Sequence, residues 1–70
     1  MFRPEFEVHM LNEVGKEKAR IIASNFSAML DGLEDVCGSH SREMAIVRTK
    51  LEEACFFAKK AMANEEENQQ

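Results

Sequence analysis

Arg48 and Thr49 interrupt an otherwise apolar helical stripe, and this pair has more chemical reach than any other grouping in the sequence. In the segment from Arg42 to Ala63, REMAIVRTKLEEACFFAKKAMA, the residues Met44, Val47, Leu51, Ala54, Ala58 and Ala61 recur at alternating steps of three and four. That spacing lines one face of a helix against a neighbour. A guanidinium keeps its charge in proteins, so Arg48 beside such a seam must snorkel to solvent, pair with a carboxylate or meet an anionic ligand. The third option gives the pair a chemistry, the capture of a small anion. Lys16 and Arg20, one turn apart on the first helix, could join Arg48 in a single anion site if a packed helix or a symmetry-related copy brought them together. Phe2 and Phe6 flank the start of that helix, where a ring could lie over a nucleobase. The plainer alternative for all of these is a set of surface cations and packing phenylalanines.

The chemistry that is missing narrows the function. His9 and His40 lie far apart, and no H-x-x-x-H, C-x-x-C or G-x-S-x-G element accompanies them. Glu52 and Glu53 are adjacent and so diverge on a helix, which gives no paired acid and base. No glycine-rich loop follows a strand. The sequence therefore nominates no catalytic residue, no metal ligands and no cofactor. A net charge of -4 disfavours a general binder of polymeric nucleic acid, which needs a basic surface to neutralise the backbone. Removing Glu65, Glu66 and Glu67 leaves acids and bases almost matched, so local clusters decide what is bound. No apolar run approaches the roughly 20 residues of a bilayer span, and no membrane partner is expected. The absence of a leader-like segment, with Cys37 and Cys55 among apolar neighbours, points to reduced thiols in cytoplasm.

These residues have to be held by helices. Arg3-Pro4 followed by Glu5 and Glu7 marks a helix start near Pro4. A stripe then runs through Val8, Leu11, Val14, Ile22, Phe26, Met29, Leu33 and Val36. Gly15 sits where the stripe weakens, and three readings stay open: a kink, a break into two helices, or a close backbone approach. Cys37-Gly38-Ser39-His40-Ser41 is the turn, with glycine closing the first helix and a serine capping a second that runs to about Met62. The fold class expected is all-α: an antiparallel helical hairpin over residues 1–64, with room for a short N-terminal helix. Residues 65–70, EEENQQ with its leading acids, are expected to form a disordered tail. Seventy residues build a small core, and Met10, Ile21, Leu30, Ile46, Cys55, Phe56 and Phe57 fall off the main seams. A homo-oligomer, at least a dimer, would bury them.

The run REMAIVRTKLEEACFFAKKAMA also resembles the C-terminal half of the phage anti-CBASS sponge proteins, which read like R-W-L-A-I-A-R-T-H-L-Q-Q-G-F-M-x-L-x-R-A-I-A. Ala45-Ile46, Arg48-Thr49, Leu51 and Lys60-Ala61 fall in register with it, and LNEVGK at Leu11 to Lys16 is similar to the asparagine-containing start of that family's long helix. The likeness is nearest to a member from T-even phages. Glu43 stands where the family has an aromatic, and the tyrosine-bearing N-terminal segment of longer members is absent.

The resemblance implies a non-enzymatic binder that holds cyclic oligonucleotide messengers, such as cyclic GMP-AMP, without cleaving them, in the host cytoplasm. It implies ligand contacts from Arg48, Thr49, Asn12 and Lys16, with Phe2 or Phe6 in place of the tyrosine. It further implies a hexamer of interlocking dimers as the working form. The ligand would be a cyclic dinucleotide, with a cyclic trinucleotide as a second candidate. A reading from another class is a protein-interaction module that grips a host helix through Phe56 and Phe57.

Overall fold

The computed structural model describes residues 9–70. Two helices dominate it: α1, Glu13–Cys37, and α2, Arg42–Ala63, followed by a single 3-10 turn at Glu66–Asn68. The expected helix start near Pro4 lies outside the described residues. Residues 9–12 are not helical, so α1 does not run unbroken from that point. Asn12 ends the extended stretch and caps α1, its side-chain oxygen accepting from the Gly15 N–H at 2.8 Å.

The turn forms as its local chemistry requires. Gly38 adopts φ 80, a left-handed backbone that glycine accepts without a side-chain clash, and its N–H donates to the Glu34 carbonyl at 2.8 Å. Ser41 then caps α2 by accepting from the Met44 N–H at 3.0 Å. Gly38→Ala and Ser41→Ala are each expected to lower stability by about 1 kcal/mol, read as a shift in the urea midpoint with unchanged slope.

The two helices form a hairpin. Its antiparallel register is fixed at both ends, because Arg48 reaches Glu34 near the turn while Leu11 bridges Gln69 at the open end. The facing stripe differs from the one read in the sequence. On α1 it carries Ile22, Phe26, Leu30 and Leu33, all half-buried, and leaves Val14, Met29 and Val36 exposed. On α2 it carries Met44, Val47, Leu51, Cys55, Ala58 and Met62, with Ala54 and Ala61 exposed. A narrow pair of helices selects only one of the apolar rows that a broad stripe offers. Leu30 and Cys55 therefore move from the off-seam set into the seam.

The described residues measure 45 × 24 × 11 Å, a slab one helix thick. Such a shape has almost no interior. Met44, at 3% exposure, is the one buried hydrophobic residue among those described, while Phe56 and Phe57 remain 64% and 61% exposed. Both cysteines are free thiols, Cys37 exposed and Cys55 half-buried.

Composition leads to the expectation of a disordered tail over residues 65–70. Residues 65–70 form a strap that folds back over the start of α1. Asn12 N–H donates to the Asn68 carbonyl, and Gln70 N–H donates to the Met10 carbonyl, both at 2.9 Å. Composition suggested disorder because the segment has no apolar residue to bury. Its amides supply the cohesion instead: Asn68 Nδ2 donates to the Met62 carbonyl at 2.8 Å and Gln69 Nε2 to the Ala63 carbonyl at 3.0 Å. The Asn68 carbonyl occupies the space a Gly15 side chain would need. Gly15 thus marks a close backbone approach within an uninterrupted helix.

Candidate functional site

An open groove of about 380 Å3 runs between the helices, lined mainly by Ala23, Phe26, Leu30, Leu51, Cys55 and Phe56. Charge is confined to Arg48, Glu52 and Lys59 along it. An apolar trough with a guanidinium at one end suits a flat ring that carries an anionic group.

Arg48 takes the second of its three options within the chain. Its Nη2 donates to Glu34 Oε2 at 2.7 Å and to the Ser39 carbonyl at 3.2 Å, so one side chain ties α2 to both α1 and the turn. The pair is part-exposed, 35% for Arg48 and 30% for Glu34. Both bonds leave through Nη2. Among the described residues nothing engages Nε or Nη1, and a guanidinium carries five N–H groups. Capacity for an outside acceptor therefore remains.

Thr49 is exposed, and its hydroxyl donates back to the Ala45 carbonyl at 3.1 Å, one turn earlier on the same helix. It does not line the groove. Lys16 is also exposed and pairs with Glu13 at 3.4 Å. Arg20 pairs with Glu17 at 2.7 Å and Lys50 with Glu53 at 3.6 Å, so each cation is partly answered by an acid three residues away. Lys18 reaches Glu67 of the strap at 3.3 Å.

Of the six residues singled out in the sequence, the four that are described do not converge within one chain. Arg48 lies beside Glu34, and at 1.5 Å of rise per residue Lys16 is about 27 Å further along α1. No side chain spans that gap. A site containing both needs a second copy. Asn12 is committed to the strap: its Nδ2 donates to the Glu67 and Gln69 carbonyls at 2.9 and 3.0 Å, which uses both amide hydrogens. Phe2 and Phe6 lie outside the described residues.

Sequence reading did not single out Glu34, the partner that orients Arg48. The only signal for it would have been the register between the helices. Among the described residues no group of three or more His, Cys, Asp or Glu side chains could hold a metal ion, and no helix is long and apolar enough to cross a membrane.

Residues 4–63 match the family described as the Acb2/Tad1 hairpin domain, which spans both helices and the turn between them. The chain belongs to that family. The Acb2/Tad1 hairpin family is associated with anti-CBASS sequestration of cyclic nucleotides, a binding role rather than a catalytic one. No curated protein and no solved structure matches the chain. Within the matched region fall Arg48, Thr49, Asn12, Lys16 and Phe6. Phe2 and the whole strap fall outside it.

Proposed function

We propose that this protein binds cyclic oligonucleotide second messengers, cyclic GMP-AMP among them, and holds them intact in the host cytoplasm during phage infection, so that CBASS effectors are not activated. The observation that carries this reading is Arg48: a permanent cation, partly buried, held by Glu34 at the end of an apolar groove with donors to spare. A cyclic dinucleotide presents two phosphates and two flat bases, which ask for a guanidinium and an apolar face respectively. Depletion by mass action then needs no reacting group.

The groove is open and the chain is thin, so enclosure of such a ligand calls for more than one copy. We assign the working form to a homo-oligomer, a hexamer by family likeness, resembling a member of the family from T-even phages. Thr49 and Lys16, which one chain keeps apart from the groove, would reach the ligand from neighbouring copies, with Phe2 or Phe6 stacking on a base. A cyclic trinucleotide is the second ligand class.

Incubation with cyclic GMP-AMP followed by denaturation is expected to return the ligand unchanged, measured by chromatography. Recovery of a linear product would overturn the sequestration mechanism.

The exposed, edge-to-face ring pair of Phe56 and Phe57, with centroids 5.5 Å apart, favours a second reading as a surface for a host helix. Calorimetry discriminates between the two. Heat with a cyclic nucleotide supports capture, while silence with every cyclic nucleotide, alongside a pulled-down host protein, supports the interaction module.

A further inference from the structure

The strap and the start of α1 compete for the same backbone groups. Val8, Leu11 and Val14 fall at helical spacing, with Pro4 and two acids ahead of them, which are the signals for a helix passing through this stretch without a break. In the structure Met10 to Asn12 are not helical. Leu11 forms an antiparallel bridge with Gln69, Asn12 has ψ -175, and its N–H goes to Asn68 rather than to a carbonyl four residues earlier.

The geometry points to a two-state junction: the strap holds residues 10–12 extended, and its release lets α1 take them up as a further helical turn. Backbone conformation requires the choice, since Leu11 and Asn12 cannot be extended against the strap and helical at the same time. Gly15 is fitted to the closed state alone. Glycine is unfavourable in a helix interior, and here its missing side chain is what admits the Asn68 carbonyl.

The closed state is also incompletely satisfied. Asn68 is 1% exposed, yet its Oδ1 has no hydrogen-bond partner, and a buried acceptor left unpaired offsets part of what the strap's other bonds contribute. The strap's ion pair, Lys18 with Glu67, is largely solvated and is weakened by salt. A clasp built this way is poised for opening, whatever the protein binds.

The test uses the full chain, isotopically labelled, with backbone chemical shifts and amide exchange read by NMR. Gly15→Ala denies the strap its seat. Asn68→Ala, which keeps Gly15 and removes the bond to Met62, provides an independent release. In either variant the shifts of Met10, Leu11 and Asn12 are expected to move from extended to helical values. Exchange at the Gln70 amide should accelerate at least tenfold while Leu51 stays unchanged. Three results would overturn the junction: extended shifts at residues 10–12 in both variants despite rapid exchange at Gln70, which would leave the Asn12 cap alone setting the boundary; unchanged exchange at Gln70 in both; or global unfolding of both, which would make the strap a fixed staple.

Discussion

Arg48→Ala is expected to weaken cyclic GMP-AMP binding by about 1.5–3 kcal/mol, roughly ten- to a hundredfold in dissociation constant, as for a lost charge-assisted hydrogen bond. Isothermal titration measures it directly. The same substitution removes a part-exposed ion pair with Glu34, and such pairs contribute only about 0–1 kcal/mol to stability. Binding and folding therefore respond on different scales, and urea melts alongside the titration separate them. Glu34→Gln supplies the internal control. A neutral amide holds the guanidinium less firmly, so this variant should bind a few-fold more tightly if Glu34 and the ligand compete, and more weakly if Glu34 chiefly orients Arg48. An Arg48→Ala protein that binds as well as its parent would remove Arg48 from the site.

The second large effect concerns association. With chains associated as proposed, Phe56→Asp combined with Phe57→Asp is expected to give single chains of 8.0 kDa, as read by sedimentation. Full burial of each phenylalanine contributes about 1.5–3 kcal/mol, and symmetry counts every substitution on both sides of a contact. Placing a carboxylate in an apolar contact adds a desolvation cost. The two rings are exposed in the isolated chain, so the substitutions should leave the helicity of the hairpin nearly intact. Unaltered mass in the variant would place the contact on another face. A parent protein that sediments as a single chain would exclude association altogether.

How much of this was legible in the sequence depends on the range of each interaction. The turn was readable because Gly38 and Ser41 act within a few residues, one through its backbone and one through its cap. The end of α2 near Met62 followed for the same local reason. Arg48 could be named as a residue that needed a partner, but the choice of Glu34 depended on how the two helices slide past one another. The stripe of α1 carries more apolar rows than a single neighbour covers, so pattern alone could not tell that Leu30 faces inward while Met29 faces out. The strap was the least legible. Asn12 meets Gln69 across 57 positions of sequence, through carbonyls that composition does not report. Gly15 held the one local hint, since a close backbone approach was among its readings.

The shortage of buried apolar surface has a thermal consequence. The heat-capacity change of unfolding scales with the apolar area newly hydrated, and with Met44 the one deeply covered hydrophobe among the described residues, less is hydrated on melting than in a globular chain of this length. The free-energy curve of the lone hairpin is accordingly shallow, with neither a steep hot flank nor a pronounced cold one. A sharp calorimetric transition is the expected signature of associated chains, and a broad one that of the hairpin alone.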